Sequence, residues 1–200
     1  VAIVGGSGSG KTVLAAQFLA GGIKNGESGV FVTFEESADD ICRNLAGFGW
    51  DVRAWEADGK WAFVDASPDY GEAEIVGEFD LGALLARIEH AVQKVQARRV
   101  AVDSLGALFL RFRNERLIRH ELLRIAAALK RMEVTTVITS ERVEEYGPVS
   151  RLGGAEFASD NVVILRNTLD SERRRRTIEV LKLRGTSHQK GEYLFTVVPG

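Results

Sequence analysis

The eight residues Gly5-Gly6-Ser7-Gly8-Ser9-Gly10-Lys11-Thr12 restrict this chain more than any other stretch of its 200 residues. They fit the pattern G-x-x-x-x-G-K-[ST] completely. Val1 to Val4 before them is a short apolar run, and Val13, Leu14, Phe18 and Leu19 after them trace one helical face until Gly21-Gly22. Strand, glycine turn and helix in that order open a parallel α/β unit. The glycines let the backbone curl until successive N–H groups converge, and the helix adds its own N-terminal N–H groups. Such a loop is built for phosphate oxygens. Lys11 is spaced to reach the β- and γ-phosphates of a nucleotide, and the Thr12 hydroxyl to bind Mg²⁺. Gly8, Ser9, Gly10, Lys11, Thr12 and Val13 are therefore the expected binding residues, with ATP and Mg²⁺ as the expected ligands.

Apolar runs and helical patterns go on alternating, which predicts an α/β fold with a mainly parallel sheet flanked by helices. Val30 to Phe34 reads as a second strand, and Ser37 with Asp40 as a capping pair opening a helix toward Gly47. Trp61, Phe63 and Val64 mark a third strand before a loop holding Pro68, Gly71 and Gly77. Asp80 caps a helix striped by Leu81, Leu84, Leu85, Ile88, Val92 and Val95. Val100 to Val102 is a fourth strand, Leu117 to Leu129 a helix, and Val134 to Thr139 a fifth strand. From Val162 on, strands follow without helices. Ile164-Leu165, a turn at Asp170 to Glu172, Thr177 to Leu183 and Tyr193 to Val198 predict an antiparallel C-terminal extension.

Composition narrows the partners. A formal net charge of −2 gives no strongly basic footprint, so nucleic acid is not the expected partner. No apolar run approaches the roughly 18–20 residues of a membrane-spanning helix, and no leader-like stretch opens the chain. Cys42 is the only cysteine and sits on a helical pattern as a small hydrophobe, which suits a reducing cytoplasm. Val1 already lies in a core strand, so residues 1–200 read as one domain taken from a longer chain.

A phosphate loop needs an acid near its metal, usually at the end of an apolar strand. Asp103, after Arg99-Val100-Ala101-Val102, fits best; Asp65 ends a less continuous run. Hydrolysis also needs a group that orients or deprotonates water. Glu35 and Glu36 stand where the second strand leaves the sheet, at the edge where α/β folds hold ligands. Side chains alternate along a strand, so one of the two is expected to face the nucleotide. Which one stays open.

These stretches together resemble the KaiC-type circadian clock ATPases of the RecA-like superfamily. The likeness rests on Gly8 to Thr12, Gly29 to Glu36, Arg98 to Ser104, Ser140 to Pro148, Ser159 to Asn167, and Leu181 to His188. It spans nearly the whole chain in order and is nearest to the first of the family's tandem domains. The resemblance implies a RecA-like P-loop fold and a Mg²⁺-dependent ATPase. It also implies a homo-oligomer, a hexameric ring with nucleotide at the subunit interfaces, and regulatory clock-type proteins as partners. It implies that Glu35 and Glu36 supply the water-activating carboxylates, and that Lys182 and Arg184 reach the neighbour's γ-phosphate, with His188 beside them. By charge alone, Lys182 and Arg184 read as an exposed strand face and His188 as a solvated loop residue.

The family's second domain phosphorylates itself on a serine–threonine pair; here that stretch is Gly154-Ala155-Glu156-Phe157-Ala158, without a hydroxyl. That weakens an autokinase reading. A DNA-dependent motor on the same fold would want a basic loop, yet Arg142 to Phe157 carries Glu144, Glu145 and Glu156. The run Arg173 to Arg176 reads as a solvated hairpin turn, although the resemblance implies that some of it lies near the interface nucleotide.

Overall fold

The computed structural model describes residues 1–66, 80–106, 115–149 and 159–198. Strands β1 (Ala2–Gly5), β2 (Ser28–Thr33), β3 (Trp61–Asp65), β4 (Ala97–Asp103) and β5 (Thr135–Glu141) alternate with helices. These are α1 (Lys11–Lys24), α2 (Ala38–Ala46), α3 (Val52–Ala57), α4 (Leu81–Val95) and α5 (Glu115–Arg131). Strands β6 (Asn161–Asp170), β7 (Arg173–Leu183) and β8 (Tyr193–Leu194) close the described chain. All eight strands form one sheet in the order β3-β2-β4-β5-β1-β6-β7-β8. Pairing is parallel from β3 through β6 and antiparallel at β6–β7 and β7–β8. The expected α/β class with an antiparallel C-terminal extension is what the chain adopts.

Residue alternation explains the two layers. Val30, Val32, Val100 and Val102 turn to the face covered by α4 and α5, where Leu84, Ile88, Leu122 and Ile125 meet them. Phe31 and Ala101 turn the other way, toward α1, α2 and α3, with Ala16, Leu19, Ile41, Cys42 and Leu45. Both faces of the parallel strands are covered, which is why they read as unbroken apolar runs. On the second face Trp61 is 1% exposed and lies between Phe31 and Trp55, at centroid distances of 5.9 and 6.1 Å. The capping expectations hold: Ser37 accepts from the Asp40 N–H at 3.2 Å, and Asp80 from the Ala83 N–H at 3.0 Å.

Several boundaries differ from the expectation. Helix α1 runs through Gly21-Gly22 to Lys24, with Asn25 as its C-cap. A Cβ on Gly22 would sit 2.6 Å from the Arg99 side chain, so the glycine makes room for an arginine rather than stopping the helix. Arg99 uses that room to donate to the Phe18 carbonyl at 2.8 Å and to Glu27 at 2.5 Å. The short helix α3, capped by Asp51, was not anticipated. Arg173 to Arg176 is not a turn; these residues begin β7 and pair with Asp170 to Asn167, while the turn itself is Ser171-Glu172. β6 is parallel to β1 on one side, and β7 reverses on the other. β8 covers only Tyr193–Leu194. The loop with Pro68, Gly71 and Gly77 and the segment Gly154 to Ala158 lie outside the described residues.

Candidate functional site

The order of strands decides what meets the phosphate loop. β5 lies between β1 and β4, so the carboxyl ends of β1, β5, β4 and β2 stand side by side. Register places Glu141 beside Gly5 and Asp103 beside Thr33. A cleft of about 230 Å³ opens there, lined by Ser7, Gly8, Lys11, Thr12, Thr33, Glu35, Glu36, Asp103, Ser104 and Glu141.

The loop has the conformation its glycines permit, with φ of 71° at Gly8 and 98° at Gly10, both unfavourable for side chains. Gly10 is the N-cap of α1 and offers no side-chain acceptor, whereas α2, α3 and α4 are capped by Ser37, Asp51 and Asp80. The first helical hydrogen bond is Leu14 N–H to Gly10 O at 2.9 Å. The N–H groups of Lys11, Thr12 and Val13 precede it, at the positive end of the helix. Within the loop, the Ser9 N–H and the Lys11 ammonium both donate to the Gly6 carbonyl, at 3.3 and 2.9 Å.

Thr12 Oγ1 donates to Asp103 Oδ2 at 2.7 Å. The other oxygen of Asp103 accepts from the Thr139 hydroxyl, on β5 beneath it. Burial pushes the Asp103 carboxyl up, and Glu35 adds to this; hydrogen bonds from Thr139 and Thr12 and the charge of Lys11 pull the other way. Lys11 is pushed down, chiefly by burial, against the pull of Glu141, Asp103, Glu35 and Glu145. A hydroxyl and a carboxylate side by side are hard oxygen donors of the kind Mg²⁺ takes, with phosphate oxygens and water completing its shell. The donor set fits that ion. Asp65 does other work, accepting from the Ala38 N–H at 3.4 Å at the start of α2.

Both Glu35 and Glu36 are among the residues lining the cleft. β2 ends at Thr33, so strand alternation no longer governs the two acids. Their partners differ. Glu35 Oε1 accepts from Ser104 Oγ at 2.6 Å, next to Asp103, while Glu36 Oε2 accepts from Asn44 Nδ2 on α2 at 2.9 Å.

Lys182 and Arg184 are not at this cleft in their own chain. Lys182 pairs with Val162, which pairs with Ala2, so both cations lie at the amino ends of the parallel strands. Lys182 donates to the Ser159 carbonyl at 2.7 Å, and Arg184 pairs with Asp160 at 3.0 Å. His188 follows in the half-buried and exposed stretch between β7 and β8. Glu141 and Asn167 were missed as site candidates, and Arg176 was singled out only with its run: the first lines the cleft and the other two touch Gly8. No local pattern marks them, because only sheet register brings them to the loop.

A parallel sheet with a phosphate loop after β1, a carboxylate after β4 and one strand between them defines a RecA-like P-loop domain. A family model described as the KaiC ATPase matches residues 1–200, and the chain belongs to that family. It is 57% identical over 197 residues to "Circadian clock protein KaiC3" of Synechocystis sp., covering 98% of this chain and 39% of the relative. It is 55% identical over 196 residues to "Circadian clock oscillator protein KaiC" of Synechococcus elongatus, covering 98% and 38%. The protein of that name from Thermosynechococcus vestitus is 53% identical over 199 residues, covering 99% and 38%. The chain thus spans about two fifths of the length of these relatives, within their N-terminal half.

The raised Asp103 carboxyl has a testable consequence for nucleotide-free protein. Its folded value lies above the ordinary 3.8, so the folded state binds this proton more tightly than the unfolded chain. The stabilising contribution is complete below 3.8 and is lost as pH rises through the folded value. At pH 7.5 the buried carboxylate is therefore a cost. Asp103→Asn should melt higher than the parent at pH 7.5 without nucleotide, and the gap should narrow as pH falls toward 4. Thermal melts of both proteins across that range check it; a lower melting point for Asp103→Asn at pH 7.5 contradicts it.

Proposed function

We propose that this chain is a Mg²⁺-dependent ATPase acting as one subunit of a nucleotide-bridged ring, in circadian timing or related signalling. The observation that carries the reading is the convergence of Lys11, Thr12, Asp103 and Glu35 on one cleft at the foot of an uncapped helix. Gly8 to Val13 hold the phosphates, with backbone N–H groups and the Lys11 ammonium opposing their charge. Thr12 and Asp103 hold Mg²⁺, which neutralises charge on the phosphates when bound. Glu35 is the water-activating carboxylate: its charge acts on Lys11 and Asp103 and its Oε1 accepts from Ser104 next to Asp103, whereas the Glu36 carboxylate accepts from Asn44 on α2. Residues 1–200 act as one domain, with strands from both ends of the described chain in a single sheet.

Charge supports the ring. Among the described residues lining the cleft, Glu35, Glu36, Asp103 and Glu141 face a single cation, Lys11. A triphosphate adds about four more negative charges, beyond what one lysine and one Mg²⁺ offset. In this reading Lys182 and Arg184, at the amino ends of the parallel strands, serve a neighbour's γ-phosphate, with His188 beside them. No observation favours the DNA-dependent reading. Arg142 is 7% exposed, and its guanidinium donates to the Pro148 and Gly147 carbonyls at 3.1 and 2.5 Å, so it is not a free strand contact. Clock-type regulatory partners and a cytoplasmic setting fit the same family reading; among the described residues no helix is long and apolar enough to cross a membrane.

Light scattering with and without ATP·Mg²⁺ tests the assembly. The full chain should enlarge to a closed oligomer with nucleotide, and Lys182→Ala with Arg184→Ala should lose about 10²–10³ in turnover while still binding ATP. A parent chain that stays monomeric while hydrolysing ATP·Mg²⁺, or a double variant with unchanged turnover, defeats the ring.

A further inference from the structure

We propose that Arg176 and Asn167 are positioning residues for the phosphate loop, acting through the Gly8 carbonyl; this rests on the nucleotide-binding reading of that loop. Arg176 Nε donates to Gly8 O at 3.2 Å, and Asn167 Nδ2 donates to the same oxygen at 3.4 Å. The two are direct cross-strand partners in the β6–β7 hairpin. They approach Gly8 from the β6 side of β1, while Asp103 and Glu141 approach from β4 and β5 on the other side.

A phosphate loop works only if its N–H groups turn toward the anion. Its carbonyls must then turn outward and find donors of their own. The Gly8 carbonyl and the Ser9 N–H are opposite ends of one rigid peptide plane. Arg176 and Asn167 hold one end; the other donates to the Gly6 carbonyl at 3.3 Å. That carbonyl also accepts the Lys11 ammonium at 2.9 Å. Turning the Gly8–Ser9 plane would therefore disturb the group that holds Lys11. Gly8, with φ of 71° and no side chain, has little steric resistance of its own to such a turn, so external donors are what fix it.

The brace is itself anchored. The Asn167 N–H donates to both carboxylate oxygens of Glu145 at 3.3 Å, and its carbonyl accepts from Arg174 at 2.7 Å. The Arg176 carbonyl accepts from the Phe195 N–H at 3.1 Å, and the Phe195–Val197 segment passes beside Gly10. A guanidinium donor to a carbonyl is a charge-assisted bond, stronger than a neutral one, so Arg176 carries more of the effect than Asn167.

The test uses the full chain and a fluorescent ADP, whose binding needs no turnover, counting only the signal that Lys11→Ala removes. Arg176→Ala should raise the Kd about ten-fold, Asn167→Ala a few-fold, and Arg176→Gln, whose Nε2 can donate from the place of the arginine Nε, should recover part of the loss. Melting temperature separates positioning from damage: a structural role alone would lower it and the active fraction but leave the Kd of folded protein unchanged. Should Arg176→Ala fail to fold, Asn167→Ala alone decides. Unchanged Kd in Asn167→Ala and Arg176→Ala, or Arg176→Gln no better than Arg176→Ala, overturns the inference while nucleotide binding by the parent stands. A parent protein that does not bind ADP or ATP overturns both.

Discussion

Lys11→Ala should weaken ATP binding by about 10²–10³-fold, the usual cost of removing one partner from a desolvated, hydrogen-bonded charge pair. The size follows from position. Lys11 opens α1, donates to the Gly6 carbonyl and is the single cation among the described residues lining the cleft. Burial already works against its charge, and nearby acids only partly restore it. A bound phosphate therefore meets an ammonium poorly compensated by its surroundings. Nucleotide-free stability should change little, since the substitution removes a buried charge along with its hydrogen bond. Calorimetric titration with ATP·Mg²⁺ checks the affinity. A melt series checks it independently: nucleotide at about 100 times its Kd should stabilise the parent by roughly 2.7 kcal/mol and the variant hardly at all. Equal affinity in parent and variant would remove the basis for any nucleotide chemistry at this loop.

Glu35→Gln should leave ATP binding nearly intact and cut phosphate release by about 10²–10⁴-fold, the range for losing a positioned general base. Glu36→Gln should cost less than about ten-fold by the same measure, because its carboxylate is engaged by Asn44 on α2. Glutamine keeps the shape and can still accept from Ser104, so the comparison isolates basicity from packing. Steady-state phosphate release at saturating ATP decides between them. Should Glu36→Gln be the dead enzyme, the two roles are exchanged; should both turn over normally, neither acid activates water.

The loop, Asp103 and the two glutamates could be named from the chain because each belongs to a local pattern. Glycines, lysine and threonine are contiguous; Asp103, Glu35 and Glu36 end apolar runs that had to be buried strands. What could not be read depends on pairing between distant segments. Nothing near Asn167 or Arg176 marks them as neighbours of Gly8; that contact exists because β6 lies beside β1 and β7 turns back on it. Glu141 entered the cleft for the same reason, by register with Gly5. The Gly21-Gly22 pair misled because glycine is both a helix terminator and a place for close packing, and here Arg99 occupies the space. The arginine run misled because a charge run at a hairpin is usually a solvated turn, whereas here pairing with Asn167 to Asp170 holds it in a strand.

Those arginines have a bearing on solubility. β7 is eleven residues long, but β8 pairs with it only through Thr177 and Ile178 and the Phe195 N–H adds a bond to the Arg176 carbonyl, so much of its outer margin has no strand partner among the described residues. A bare margin of that length is a template on which another copy's strand can grow. Arg173 to Arg176 occupy its leading end, so two such margins meeting in antiparallel or parallel fashion bring stacked guanidinium groups toward one another or toward a neighbour's desolvated backbone. Neutralising Arg173, Arg174 and Arg175, which lie outside the cleft, should weaken that electrostatic guard and raise self-association, read as light scattering.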